Sequence, residues 1–406
     1  DTSWNQVGSN IDGSATGDNA GTVVAIDGSG DLVAIGSPFA NITLSNTVTT
    51  TTVNGVQQGT EFLCDNRARY GQGLNSGISR QSHCAINGDG TRIFTGGEHA
   101  LDQEFDGTLK IADWDGAQWN ITEINRVARY SNTGYSVSSS NSGNTIAVGA
   151  PNGGSTDPYE QSHLGAVYIF NWDGSQWNFT AELGPGTSYW FGHHVNLNRS
   201  QYTNIDGTVL LVGEYWSGQN GAVHIYEYDG TNWNKKGQTI TGGSGDNIQS
   251  ATCINGDGNI FACGSYARNR VDVYEWNASS STWVTKGNRI NRPSGASGSH
   301  FGSALSMTGD GLTIVIGSID GRYNNYTGEV YVYEWNGSDW QQKGQTITNT
   351  GMGHSVTVNN DGTVLAVGGL TIDSDNYSEA GKVLTYQWNG SDCLLYTSDA
   401  ADEHSW

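Results

Sequence analysis

The chain has 406 residues, 58 of them glycine and only 5 proline, and its formal net charge is -22. So acidic a balance excludes the phosphate neutralisation that nucleic-acid binding needs, and no apolar run approaches the length of about eighteen residues that marks a membrane span. The length suits one large all-β domain or several ordinary ones, and a chain starting at Asp1 is either processed or a fragment of a longer one.

In chain order, the first predicted element is a strand, WNQVGSNI from Trp4, with no companion phrase before it. A hairpin follows, TVVAIDGSGDLVAIGS from Thr22, then an insertion containing TVTTTT from Thr47 and a degenerate stretch from Gly59 that keeps Gly71 and Leu74. From His83 the pattern becomes regular. HCAINGDGTRIFTGG is followed by GTLKIADWDGAQW from Gly107, and SVSSSNSGNTIAVGA from Ser136 by GAVYIFNWDGSQW from Gly165. NIDGTVLLVGE from Asn204 precedes GAVHIYEYDGTNWNKKGQTI from Gly221, and ATCINGDGNIFACGS from Ala251 precedes VDVYEWNASSSTWVTKGNRI from Val271. ALSMTGDGLTIVIGS from Ala304 leads into GEVYVYEWNGSDWQQKGQTI from Gly328, and SVTVNNDGTVLAVGG from Ser355 leads into KVLTYQWNGSD.

Each phrase alternates apolar and polar residues around Asn-Gly-Asp-Gly, Asp-Gly or Asn-Gly, which supply the positive φ of a tight hairpin turn. Two hairpins per copy give four antiparallel strands. Repetition at about fifty residues is the signature of a radial array that hides its strand edges. The predicted fold is all-β, a single seven-bladed β-propeller over residues 1–392. The strand at Trp4 supplies the missing fourth strand of the last blade and closes the ring.

At Cys393 the repeat demands Trp and a closing strand. Instead CLLYTSDAADE matches one reading frame of a transposase sequencing adaptor, so residues 393–406 are expected to be a non-native tail on a chain that naturally continues.

Phe191-Gly192 and Phe301-Gly302 open the inner phrase in two copies, and Gly36-Ser37-Pro38 and Gly149-Ala150-Pro151 close it in two others. This pairing resembles the FG-GAP repeat of integrin alpha-subunit heads and other extracellular propellers. The resemblance implies a secreted or cell-surface protein acting in adhesion or ligand binding. It also implies calcium in D-x-D-x-D-G-x-x-D loops. Here Ala85 and Ile93, or Cys253 and Phe261, stand at the outer ligand positions, so Asp89, Asp257, Asp310 and Asp361 read as turn residues. No cofactor is expected, with calcium an open alternative at the acidic loop of Asp373, Asp375 and Glu379.

Cys253 and Cys263 flank Gly258 symmetrically, and Cys64 and Cys84 fall on neighbouring blades. Either pair allows a disulfide or two buried thiols. Nine glycosylation sequons, from Asn41 to Asn389, are about what an Asn-, Ser- and Thr-rich composition gives by chance, so they permit a glycoprotein without requiring one. His193, His300 and His354 precede or open inner strands and read as solvated or hydrogen-bonded imidazoles rather than metal ligands.

Eleven of the 14 tryptophans occupy the two repeat positions beside hairpin turns and read as framework. Setting aside Trp406 in the tail, only Trp190 and Trp216 remain. With Tyr189 and Tyr215 they are predicted to meet on one propeller face and form a ligand-binding aromatic group. The expected function is a binding module for a protein or glycan. The alternatives are a glycan-active hydrolase or lyase at the channel mouth, and a structural repeat of a larger surface assembly.

Overall fold

A computed structural model describes residues 3–12, 21–37, 46–52, 62–64, 83–97, 108–124, 132–152, 164–184, 189–202, 204–216, 220–248, 251–294, 300–319, 327–369 and 381–390. Residues 393–406 and the loop of Asp373, Asp375 and Glu379 lie outside them, and for Cys64, Tyr189 and Trp216 only the backbone is described.

The described strands pair into seven antiparallel sheets, each running outward through consecutive hairpins. Numbered in chain order, the blades have inner strands Val23–Ile26, His83–Ile86, Ser136–Ser139, Tyr189–Leu197, Ala251–Ile254, Phe301–Met307 and Met352–Val358. Inner strands pack against their successors, and that of blade seven packs against that of blade one. A separate hydrophobic cluster fills every seam, including the one between blades seven and one built from Val24, Ile26, Val33, Ile35, Val364, Ala366 and Val383. The chain is thus an all-β propeller with four-stranded antiparallel blades. Its N-terminal strand Trp4–Asp12 is the outer strand of blade seven, with Trp4 opposite Trp388 and Asp12 opposite Lys382.

The outer belt explains the repeat's tryptophans. Each pair stands directly across its hairpin, as in Trp276 opposite Trp283 and Trp335 opposite Trp340. The rings meet tilted at 5.2 and 5.4 Å, a favoured aromatic geometry. The Lys-Gly that follows reaches the next blade. Lys286 lies 4.3 Å from the Trp335 ring centroid, and its carbonyl accepts the Trp340 indole N–H at 2.9 Å. Gly287 has φ +73, and a Cβ there would sit 2.6 Å from Cζ3 of Trp335. Only glycine permits that approach. Lys236-Gly237 repeats the arrangement on the preceding seam and Lys343-Gly344 on the following one.

At the opposite, axial end, the residue closing each inner strand accepts backbone amides from its own turn. Asn87 Oδ1 takes the Arg92 N–H at 2.9 Å, Asn255 Oδ1 takes Ile260 at 2.9 Å and Asn359 Oδ1 takes Val364 at 3.0 Å. Asp89, Asp310 and Asp361 accept from the turn two residues on, at 3.0, 2.9 and 3.0 Å. They are turn-closing side chains. Adjacent backbones are then stitched blade to blade: Gly28 to Gly88, Gly88 to Asn141, Gly256 to Gly309, Gly309 to Asn360, and Asn360 back to Gly28.

Of the two alternatives open for Cys253 and Cys263, the structure has the second: both are buried free thiols. Cys253 pairs with Ala262 and Cys263 with Thr252. The hairpin centres between Asp257 and Gly258, and this half-residue offset sends the two thiols to opposite sheet faces. They enter different seams, Cys253 towards blade six and Cys263 towards blade four. The Cys64–Cys84 pairing lies outside the described residues because the Cys64 side chain does. Asn198, one of the sequon asparagines, is 0% exposed and gives its amide to the carbonyls of Ile205 and Gly256, so it is no glycan acceptor in the folded chain.

Candidate aromatic binding face

Trp190 begins blade four's inner strand. The next residue, Phe191, is fully buried and donates its N–H to the Leu164 carbonyl at 3.2 Å. Gly192 follows at φ +88, with no room for a side chain against the Ala166 carbonyl. With its neighbours so anchored, Trp190 is held at φ +62 and leaves its ring 37% exposed. A bulky residue in the left-handed region is a strained outlier, of the kind that concentrates at binding sites.

The adjoining strand Val209–Trp216 brings Tyr215 to within 5.2 Å of the Trp190 ring centroid. Tyr189 and Trp216 are paired across the same two strands, so all four predicted residues converge in backbone position. For Trp190 and Tyr215 the rings themselves meet. A bulge between Phe191 and His194 turns His193 beneath them. The His193 ring lies parallel to Trp190 (6° between planes, 6.2 Å) and 5.4 Å from Tyr215.

The cluster spreads along the channel mouth. His193 Nε2 is 2.9 Å from the Tyr135 hydroxyl of blade three, and His194 lies 4.9 Å from His193 and 6.2 Å from His83 of blade two. On the other side Tyr266 of blade five lies 5.3 Å from His300. Burial, followed by the neighbouring Tyr215 phenol and a hydrogen bond to it, raises the Tyr266 phenol. Tyr135, His193 and His354 share one repeat position, the residue after the inner glycine. His83 and His194 share the next, and Trp190 and His300 stand two before that glycine. The sequence signal for this belt is therefore variability at positions the framework leaves unspecified. His354 instead donates to the Thr22 carbonyl, 3.1 Å away, if its Nδ1 carries the proton. Among the described residues no three His, Cys, Asp or Glu side chains are arranged to hold a metal ion.

Three of these imidazoles, His83, His193 and His354, are held neutral at neutral pH. Burial holds His83 down to about 3, with His194 adding to the effect and a hydrogen bond to the Tyr135 backbone opposing it. Burial likewise holds His193 far below the ordinary range, helped by His194 and His83, and lowers His354. In the unfolded chain each protonates near its ordinary value of about 6.5. Their contribution is therefore fully present above about pH 6.5 and is lost as pH falls towards 3. The melting temperature should drop by roughly 5 °C or more between about pH 7 and pH 4.5. His83→Gln should make that slope shallower in parallel thermal melts; an unchanged slope would remove His83 from the account.

No family model matches the chain, and no curated protein matches it. The solved structures it resembles are propellers of low sequence identity. The WD40-type β-propeller domain of Cps50 (Swd1) from Myceliophteria thermophila aligns over 93% of this chain and 99% of its own, with TM-score 0.56 and 11% identity. Hydrazine synthase from Kuenenia stuttgartiensis aligns over 95% and 99%, with TM-score 0.54 and 15% identity. Sqt1 from Chaetomium thermophilum, bound to the N-terminus of ribosomal protein L10, is more remote at TM-score 0.45, with 12% identity over 71% and 69%.

The fold is shared with the Cps50 (Swd1) domain and the hydrazine synthase chain, and their functions do not transfer. The FG-GAP, integrin-like assignment is corrected. No family model carries it, and the likeness is to WD40-type and other propellers. The Phe-Gly and Gly-Ala-Pro letters have a local cause instead: Gly149 and Gly264 abut the carbonyls of Gly192 and Gly302 in the next blade, where any Cβ would overlap.

Proposed function

We propose that the protein is a binding module that engages a protein or glycan ligand through the face bearing Trp190. The observation that carries this reading is the exposed Trp190 ring, held in left-handed backbone and stacked over His193 beside Tyr215. A rigid, half-exposed aromatic surface with a buried polar rim is the build of an interaction anchor, and a flat ring of this kind also stacks on apolar sugar faces. Neutral imidazoles beneath it add hydrogen-bonding capacity without charge. The same reading takes the protein to act outside the cell; Asn277 and Asn336 of two sequons are exposed, which permits glycosylation without requiring it, and glycopeptide mass spectrometry on the native protein tests that placement.

The binding claim is tested by screening wild type and Trp190→Ala side by side on glycan arrays and displayed peptide libraries. Loss of an anchor of this kind costs about 2 kcal/mol or more, roughly thirty-fold in affinity, with the melting temperature nearly unchanged. Equal binding by the two proteins would refute the reading. The class of array that responds assigns the ligand.

A further inference from the structure

We infer that the axial channel holds a second site, centred on Arg199, for a small oxyanion such as a carboxylate or phosphate. It lies at the turn end of the channel, whereas Trp190 lies at the strand-start end. At the repeat position after the residue closing each inner strand, the other blades carry Gly28, Gly88, Asn141, Gly256, Gly309 and Asn360. Blade four alone has arginine. Those small residues form the blade-to-blade backbone stitching, and blade four replaces it with side chains: Asp206 accepts the Asn141 N–H at 2.7 Å and the Asn198 amide donates to the Gly256 carbonyl at 2.8 Å. The substitution frees Arg199 to enter the channel.

The channel there is a cavity of about 190 Å³ lined by inner strands of all the blades, with Arg199 in its wall. That volume corresponds to roughly six waters at liquid density, enough for a small anion and too little for a folded segment. Arg199 Nε and Nη2 are both buried without any hydrogen-bond partner. Burial lowers its pKa from the ordinary value, while Asp206 and then Asp27 favour its charge through space. A guanidinium stays protonated regardless, so the channel wall holds a cation two of whose nitrogens, Nε and Nη2, have no partner. Leaving such a group unpaired is costly.

Nε and Nη2 form one edge of the guanidinium, the edge that grips two oxygens of a carboxylate or phosphate in parallel. Further polar groups stand on the same walls. Ser138 and Ser306 hydroxyl oxygens accept the N–H groups of Leu197 and Val358 at 3.0 and 3.1 Å. Each keeps its own O–H as a donor. A cationic fork with hydroxyl donors in a narrow channel suits a small oxyanion and disfavours a cation.

The test is thermal denaturation of the full chain, first dialysed into chloride, then titrated with sodium phosphate or sodium acetate at constant ionic strength. Wild type should gain several degrees in a saturable way, as expected for ligand binding the native state. Arg199→Met, which keeps the length and removes the charge, should show no gain. Stabilisation of equal size in both proteins, or none in wild type, would overturn the site. Should Arg199→Met fail to fold, ¹⁵N-arginine spectra of wild type decide the matter: one Nε–H resonance must move and saturate with the anion, and unmoved spectra refute the proposal. Response to phosphate alone or acetate alone identifies the class of oxyanion.

Discussion

Gly264→Val is expected to cost about 3 kcal/mol or more and lower the denaturant midpoint accordingly, through overpacking against an unyielding partner. Gly264 ends the second strand of blade five, and its Cβ would overlap the carbonyl oxygen of Gly302 at the head of blade six. Both atoms belong to backbone held in sheets, so no side chain can swing aside. The same contact recurs at Gly96 with Gly134, Gly149 with Gly192, Gly317 with Gly353 and Gly368 with Gly21. The strain would therefore fall on a seam that the whole ring depends on. Gly184→Ala is the control, since its nearest neighbour is 3.8 Å away and its φ is unexceptional. Equal midpoints for Gly264→Val and wild type would show that the blades are not packed this closely.

Trp283→Ala should be comparably damaging, by about 3–5 kcal/mol as for other buried aromatics. The side chain is 3% exposed and meets Trp276 at 5.2 Å and Phe261 edge-on at 4.9 Å. Its indole N–H also donates to the Lys236 carbonyl of blade four at 2.8 Å. Truncation thus opens a cavity and strips a buried acceptor. Trp283→Phe, which keeps a ring but loses the donor, should fall between the two. Chemical denaturation of the three proteins orders them, and a loss below 1 kcal/mol for the alanine variant would return Trp283 to a peripheral role.

Local pattern made the architecture readable. Alternation around Asp-Gly and Asn-Gly turns marked the strands, and the tryptophan pairs marked where hairpins end. The orphan phrase at Trp4 marked the strand that completes blade seven. What the pattern could not give is contact between blades. Lys286 sits over a tryptophan some fifty residues away, and no spacing within one copy shows it. The same limit hid His83, Tyr135 and Tyr266, which reach the mouth cluster from three different blades. Tyr189, Trp190, Tyr215 and Trp216, close in sequence on paired strands, could be foreseen as neighbours. The choice between a disulfide and two buried thiols at Cys253 and Cys263 stayed open because symmetry in sequence is not register: the turn centre falls between residues, and the thiols face apart. The glycines suggested a family, whereas in this chain they mark where one blade's backbone closely approaches the next.

The central claim, that ligand is read by the Trp190 face of a rigid propeller, is tested most directly by ¹⁵N-tryptophan spectra during titration with whatever ligand the arrays identify. The Trp190 indole resonance should shift and saturate. The resonances of Trp283 and Trp340, whose indoles are bonded to the Lys236 and Lys286 carbonyls, should stay in place. Saturation of binding with Trp190 unmoved, or with the belt tryptophans shifting instead, would contradict it.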